Sequence, residues 1–284
     1  MKAFRSVTYS VFLVALFVSV ICCSRINREN AKAFRSLGEE ELANDDYDKA
    51  INDLSRAINL DPANAEAYTH RGAAYGLKGD FNKAMNDLDR AVELDPTNAD
   101  GFELRAGVWH VREDYDKAIA DYSKVIELTP RNIEAYVNRG NNLTRRGDYE
   151  KAIADYSKAI ELGATTPYQY RGAVWELEHN HRKAIADLNQ AIKLDPQSDE
   201  AYYIRGRIWQ HQGDDEKAMA DYGTVIQINH GDKPYYTNPA IIWLFYGSLN
   251  GDFDLLERQL AKAKESLKIV KQELDQESDG ETEE

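Results

Sequence analysis

Cysteine is nearly absent from this 284-residue chain. The only two cysteines, Cys22 and Cys23, lie together at the end of an apolar stretch near the N-terminus. No disulfide framework or cysteine-rich metal site can therefore form in the rest of the chain. Any role of these two thiols belongs to the N-terminal segment.

Positive charge is also in deficit. The chain has 35 lysines and arginines against 49 aspartates and glutamates, a formal net charge of −14. Nucleic-acid affinity comes mostly from cationic side chains that neutralise phosphates, and no local basic stripe compensates for the acidic total. We therefore expect no nucleic-acid partner.

Motifs of enzyme chemistry are missing as well. The sequence contains no Gly-x-Ser-x-Gly elbow, no phosphate-cradling glycine loop and no His-Glu-x-x-His pair. Glu176, Glu178, His179 and His181 cluster at one predicted turn, and such side chains can ligate zinc. Their spacing is unspecific, and a solvated turn explains them better. We expect no enzyme activity, no cofactor and no metal site.

Residues 1–23 have the layout of an export signal. Lys2 and Arg5 precede an apolar stretch over residues 7–21, after which polar sequence begins. The segment Val20-Ile21-Cys22-Cys23 resembles the bacterial lipobox, although a small residue usually precedes the modified cysteine there. We predict an exported body anchored to the cell envelope by lipid on Cys23 or Cys22. Cleaved, soluble export and a retained membrane anchor are the alternatives.

One pattern returns about every 34 residues from Ala31 onward. Each copy holds an aromatic residue, a small residue four positions later, a turn and a second apolar stretch that ends near a proline in most copies. These spacings place the apolar residues on one face of each of two helices. The sequence predicts six helix-turn-helix repeats, over residues 31–64, 65–98, 99–132, 133–164, 165–198 and 199–232.

The second copy shows most clearly that the pattern resembles the tetratricopeptide repeat. Its matching positions are Tyr68, Gly72, Tyr75, Ala84, Leu88, Ala91 and Pro96. The resemblance implies an all-α fold, a right-handed α-solenoid of helix-turn-helix repeats. Local departures are Leu37 where other copies have arginine, Glu41 at an aromatic position, and His179-Asn180-His181 at a turn where three other copies have Gly-Asp.

The repeat pattern decays after residue 232. Residues 233–274 are interpreted as a degenerate seventh repeat with a C-terminal capping helix. Leu256, Leu260, Ala263, Leu267, Val270 and Leu274 form a short heptad-like stripe on it, so a homodimer or partner contact is the alternative to capping. Residues 275–284 are acidic and lack apolar side chains, which predicts a disordered tail.

Arginine and aspartate recur at fixed places in the repeats. Arginine precedes the small residue of the first helix, and aspartate recurs in the second helix, which predicts a structural Arg–Asp ladder. Pairing with the preceding repeat would leave Asp221 over, and pairing within a repeat would leave Asp53 over. The residues are Arg71, Arg105, Arg139, Arg171 and Arg205, with Asp53, Asp87, Asp121, Asp155, Asp187 and Asp221.

The resemblance also implies a binding site, because the family binds peptides in a concave groove lined by first helices. The partners implied are proteins or peptides. Further groove positions are Ala73, Leu77, Gly107, Val111, Val137, Thr144, Ala173, Leu177 and Gln210. The principal groove positions in this sequence are Thr69, Glu103, His110, Asn141, Arg145, Gln169, Tyr203, Arg207 and His211.

Asn142-Leu143-Thr144 matches the glycosylation sequon but falls in a predicted helix, and we interpret it as chance.

Overall fold

The structure, a computed structural model, describes residues 25–230, and every regular element in that range is a helix. Helix α1 covers residues 25–43. The prediction of an all-α chain of helix-turn-helix repeats is confirmed. The later helices are α2 (Tyr47–Leu60), α3 (Ala65–Leu77), α4 (Phe81–Leu94), α5 (Ala99–Val111), α6 (Tyr115–Leu128), α7 (Ile133–Arg146), α8 (Tyr149–Glu161), α9 (Pro167–Leu177), α10 (His181–Leu194), α11 (Asp199–His211) and α12 (Asp215–His230).

Two compact units divide the chain at residue 155, within α8. The N-terminal unit is Met1–Asp155 and the C-terminal unit is Tyr156–Glu284. Odd-numbered helices are the first helices of the repeats, and even-numbered helices are the second helices. In the N-terminal unit α3 packs against α4 and α5 packs against α6, each pair being the two helices of one repeat. In the C-terminal unit α9 packs against α10 and α11 packs against α12.

Side-chain caps explain where the helices begin. Asp80 accepts a hydrogen bond from the backbone N–H of Lys83 at the start of α4, and Asn64 does the same for Ala67 at the start of α3. Such caps satisfy backbone donors that have no partner within the helix. The aspartates after the predicted turns and the asparagines before the first helices therefore fix the helix boundaries locally.

The turn inside a repeat needs one residue with positive φ. Gly147 holds this place at φ +89°, where glycine has no Cβ to clash. In three repeats the same place is taken by a residue other than glycine: Asp45 at φ +60°, Glu113 at +60° and His179 at +56°. These backbones carry a steric cost that glycine would remove.

Close packing of the two helices in a repeat depends on the recurring small residue. A Cβ added to Gly72 would lie 2.8 Å from Cγ of Leu88, which is fully buried in α4. In the C-terminal unit a Cβ on Gly206 would lie 2.7 Å from Tyr222. The core is thus a series of small clusters, each built around one such contact, as repeat proteins require.

Several sequence predictions fall outside the described residues. They are the signal segment with Cys22 and Cys23, the degenerate repeat over 233–274, and the acidic tail over 275–284. A search of the helices within residues 25–230 finds none that is long and apolar enough to cross a membrane.

Candidate functional site

Five arginines of the first helices each grip one aspartate with two hydrogen bonds. In every pair Nε donates to Oδ2 at 2.7–2.8 Å and Nη2 donates to Oδ1 at 2.6–2.8 Å. The aspartates are buried. These hydrogen bonds raise the pKa of each arginine, so each guanidinium stays charged. The pairs are Arg71–Asp87, Arg105–Asp121, Arg139–Asp155, Arg171–Asp187 and Arg205–Asp221.

Each of these arginines also reaches the second helix of the preceding repeat. Nη1 of Arg71 donates to Ser55 at 2.9 Å, and Nη1 of Arg105 donates to Asp89 at 2.8 Å. In the C-terminal unit Nη1 of Arg171 donates to Ser157 at 2.8 Å. One guanidinium therefore joins three helices, which fixes how consecutive repeats meet.

The arginines pair with aspartates of their own repeats. The prediction that Asp53 belongs to the ladder is therefore wrong, and Asp221 is the fifth aspartate of the ladder. The first repeat has Leu37 where the others have arginine, and Asp53 instead accepts from Arg56 at 3.0 Å. Arg56 also lies over the Phe34 ring, 5.4 Å from its centroid. In the second repeat Arg71 likewise pairs with an aspartate and lies over the Tyr68 ring at 5.8 Å, so Arg56 contacts the equivalent carboxylate and ring of the first repeat.

The predicted groove contains an apolar pocket in the N-terminal unit. We call it the α3–α5 pocket; its volume is about 230 Å³. Leu77 and Val111, at the ends of the two first helices, line it and are 62% and 55% exposed. Ten residues line the pocket, none of them charged: Gly72, Ala73, Gly76, Leu77, Phe81, Leu88, Leu104, Gly107, Val108 and Val111.

Two glycines leave the α3–α5 pocket open. A Cβ added to Gly76 or Gly107 would meet no atom within 4 Å, unlike the Cβ at Gly72. These two glycines are therefore not required for helix packing. Their absent side chains create space on an otherwise covered helix face, which an apolar side chain can enter with a gain in buried area.

The prediction that Thr69 lines the groove is wrong, because this residue is buried. The side chain is only 2% exposed, and its hydroxyl donates to the backbone oxygen of Ala65 at 3.1 Å. Helix α5 approaches closely at this point, since a Cβ on Gly101 would lie 3.7 Å from the Thr69 hydroxyl. Thr69 is thus part of the contact between α3 and α5.

Three other predicted groove residues of the N-terminal unit are half-buried. Nδ1 of His110 lies 2.9 Å from Oδ1 of Asn142 in α7, and Asn142 is 1% exposed, so it is no glycosylation acceptor. Glu103 accepts from Asn132 at 3.2 Å, and burial raises the pKa of its carboxyl. Asn141 is half-buried in α7, whereas Arg145 near the end of α7 is exposed.

In the C-terminal unit the predicted groove positions form polar bridges. Nη2 of Arg207 in α11 donates to Glu176 in α9 at 3.1 Å, and Glu176 is only 8% exposed. Gln169 of α9 accepts from Ser198, the N-cap of α11, at 2.7 Å. Tyr203 packs against Tyr222, with ring centroids 6.0 Å apart. His211 at the end of α11 is exposed.

The zinc hypothesis finds no support in the geometry. Glu176 is engaged by Arg207, and His179 and His181 face each other edge to face with ring centroids 6.3 Å apart. Nowhere in residues 25–230 do three His, Cys, Asp or Glu side chains gather as a metal site would need.

The sequence reasoning missed part of the pocket lining. Gly76, Phe81 and Leu104 line the α3–α5 pocket but were not among the predicted groove positions. A glycine inside a helical pattern was the available signal, because such a residue costs helix stability unless packing or function needs it.

The helix pairs, their recurring small residues and the Arg–Asp ladder define a helical-repeat protein. Profiles described as TPR repeat match residues 38–79 and 110–143. Profiles described as tetratricopeptide repeat match residues 65–98 and 133–163, and residues 178–234. The chain therefore carries tetratricopeptide repeats. Comparison with curated proteins finds no match.

Solved structures show the same fold at low sequence identity. A tetratricopeptide repeat protein from Parabacteroides merdae is 18% identical with a TM-score of 0.63, over 84% of this chain and 93% of that one. PilF of Pseudomonas aeruginosa is 17% identical with a TM-score of 0.62, over 74% and 96%. YrrB, described as a TPR protein with an unusual peptide-binding site, is 21% identical with a TM-score of 0.54, over 65% and 95%.

Proposed function

We propose that this chain is a non-catalytic interaction scaffold that binds a peptide segment of a partner protein along its first helices. The α3–α5 pocket carries the proposal. Its lining is apolar, its rim includes the exposed Leu77 and Val111, and two glycines leave it open. Proteins of this repeat family generally mediate protein–protein interaction, which supports the same role here.

The size of the pocket indicates what enters it. Its volume of about 230 Å³ lies below the ~300 Å³ at which small-molecule sites begin. One apolar side chain of a peptide, such as leucine, isoleucine or phenylalanine, fits this space. Peptide recognition of this kind depends on a few anchors in pockets with the rest of the contact adding complementarity.

Peptide selection tests the proposal directly. Random peptides are selected on the purified full chain, and the affinities of the selected peptides are compared between the natural protein and Gly107→Leu. The new side chain has room, because nothing lies within 4 Å of the added Cβ, and leucine favours a helix over glycine by about 1 kcal/mol. The variant is therefore expected to fold and to fill the pocket.

We expect the selected peptides to share an apolar residue and to bind Gly107→Leu at least tenfold more weakly. Leu194→Ser is the matched control, since Leu194 is 45% exposed at the end of α10, outside the pocket. Equal binding to the natural chain and to Gly107→Leu would place the peptide site elsewhere.

We also propose that the scaffold is exported and held at a membrane of the cell envelope by lipid on Cys23 or Cys22. The signal-like residues 1–23 and the lipobox-like Val20-Ile21-Cys22-Cys23 support this. Mass spectrometry of the N-terminal peptide from membranes measures the added lipid. Cys23→Ser and Cys22→Ser, made separately, identify the modified thiol. If both cysteines are unmodified in the natural protein, the proposal of a lipid anchor is wrong.

A self-associating platform built through the C-terminal helix is the alternative function. The heptad-like stripe from Leu256 to Leu274 favours it. Sedimentation of the full chain at micromolar concentration distinguishes the two functions. A strictly monomeric chain would rule out the self-associating platform and remain consistent with the peptide scaffold.

A further inference from the structure

The eleventh residue of the repeat, which lies in the first helix, is aromatic in four of the six repeats. The first repeat has Glu41 at this position and the fourth has Leu143, while the aromatic side chains are Tyr75, Trp109, Trp175 and Trp209. A lysine from the following second helix lies over each of these rings. The distances from Nζ to the ring centroid are 5.2 Å for Lys83, 4.1 Å for Lys117, 4.0 Å for Lys183 and 4.5 Å for Lys217.

The third repeat shows the full surroundings of such a ring. Two cations contact the ring of Trp109: Lys117 lies over it, and Cζ of Arg112 is 5.9 Å from its centroid. The ring also packs against the cluster that contains Met85, from the second helix of the preceding repeat. Two cations and one apolar wall thus hold an indole in place.

The fourth repeat keeps these surroundings but has leucine in place of the ring. Lys151, Arg146 and Ile119 stand at the places of Lys117, Arg112 and Met85, one repeat further on. Together with Leu143 and Ala154 they line a cavity of about 360 Å³. We call it the Leu143 cavity. Leucine is much smaller than indole, and Leu143 lines this cavity at the repeat position that Trp109 holds in the third repeat.

The charges around the Leu143 cavity are balanced. Arg139 pairs with Asp155, and Arg146 donates to Asp116 at 2.6 Å and to Asp148. Lys151 shares Asp148, at 3.4 Å. Three cations thus face three carboxylates, which leaves no net charge to hold an anion. A neutral ring whose face attracts the cations suits this lining better.

We infer that the Leu143 cavity binds an aromatic side chain, tryptophan or tyrosine, presented by a partner protein. The partner's ring would contact Lys151 and Arg146, as Trp109 contacts its own two cations. This second site extends the proposed scaffold role but shares no lining residue with the α3–α5 pocket. Either site can therefore fail without the other.

Binding of 5-fluoroindole to the full chain, followed by fluorine NMR, tests the inference. We expect saturable binding to the natural protein and at least a tenfold loss in Leu143→Trp, whose new ring fills the cavity. Lys151→Met should also weaken binding severalfold, because it keeps the chain length and removes the cation. Circular dichroism and thermal melts check that each variant is folded, and Leu143→Trp is expected to melt no lower than the natural protein.

Two further variants identify where the probe binds. Gly107→Leu fills the α3–α5 pocket and should leave binding of the probe unchanged. Trp109→Leu should open a second cavity of the same kind and raise the number of bound probes from one to two. A probe that does not bind the natural chain, or that binds Leu143→Trp equally well, overturns the inference.

Sedimentation distinguishes a second copy of this chain from another partner. If the natural chain self-associates and Leu143→Trp does not, the ring comes from a second copy, and the inference of a different partner protein is wrong. If both sediment as monomers while the natural chain binds the probe, a different partner protein supplies the ring.

Discussion

The first helices of the two units carry different surfaces at the same repeat positions. The ninth residue of the first helix is Gly107 in α5 and Arg207 in α11. Around Gly107 the surface opens into the apolar α3–α5 pocket, whereas Arg207 forms an ion pair with the buried Glu176 of α9. A single position therefore decides whether a first-helix face can receive a side chain or is closed by a polar bridge.

This difference shows why groove positions cannot be treated alike. In the N-terminal unit the apolar side chains and glycines of the α3–α5 pocket leave open surface, although Glu103 and His110 contact Asn132 and Asn142. In the C-terminal unit Gln169 and Arg207 are already engaged with the neighbouring repeat. A substitution there removes packing as well as any binding contact, so loss of binding alone would not prove a contact with a partner.

The largest expected effect on stability concerns the Arg–Asp ladder, which both units contain. Asp87→Ala in the N-terminal unit and Asp221→Ala in the C-terminal unit should each lower the free energy of unfolding by about 3–5 kcal/mol, because each leaves a half-buried arginine without its carboxylate. Denaturant unfolding measures this. Asp53→Ala is the control, because Asp53 is outside the ladder, and it should cost less than about 1 kcal/mol.

The next effect tests the polar bridge of the C-terminal unit. Arg207→Met should lower the free energy of unfolding by about 1–3 kcal/mol, since Glu176 is left buried without its partner. The double variant with Glu176→Gln should recover part of this loss, as a double-mutant cycle will show. Arg145→Met, at an exposed first-helix arginine, should change stability by less than about 0.5 kcal/mol. Equal effects of the two substitutions would mean that the ion pair of Arg207 with Glu176 does not stabilise the C-terminal unit.

A smaller effect contrasts the turns of the two units. His179→Gly should raise the free energy of unfolding by about 1 kcal/mol, because glycine adopts the positive φ of 56° without steric strain. Gly147→Ala should lower it by a similar amount at φ +89°. Thermal melts of both variants measure the shifts. A lower melting temperature for His179→Gly would mean that the histidine makes a stabilising contact.

The smallest effect concerns the fifth residue of the repeat, which is Glu103 in α5 and Gln169 in α9. Burial raises the pKa of Glu103 above its ordinary value of 4.5. The Glu103 carboxyl therefore binds its proton more tightly in the folded chain than in the unfolded chain. The stability of the natural protein therefore falls as the pH rises from the unfolded pKa through the folded pKa.

Glu103→Gln should thus stabilise the chain at pH 7, with no difference from the natural protein below about pH 4. Denaturant unfolding as a function of pH measures this. A stability difference that does not change with pH would mean that the carboxyl keeps its ordinary pKa in the folded chain.

Much of the fold could be predicted from residues close together in the chain. Asp80 caps α4 through Lys83, three residues away, and Gly147 ends α7 through its own φ. The aromatic and small residues of each repeat recur at helical spacing, which was enough to predict the helix pairs. These features depend on contacts within one or two helical turns.

The candidate site was less predictable for a physical reason. Thr69 stands at a groove position in the repeat pattern, yet the approach of α5 at Gly101 buries it. The α3–α5 pocket takes its lining from three helices, and its opening depends on two glycines whose missing side chains matter only once those helices are together. The repeat pattern alone contains no measure of that space.

The sequence by itself determined the helix-turn-helix repeats, their length and the recurrence of arginine and aspartate, because short-range spacing and capping control these. Only the tertiary structure decided that each arginine grips the aspartate sixteen positions later and leaves Asp53 to Arg56. It likewise decided which face holds the α3–α5 pocket and where the Leu143 cavity lies. Those outcomes depend on which helices become neighbours and how closely they approach, and the spacing of residues along one helix does not specify either.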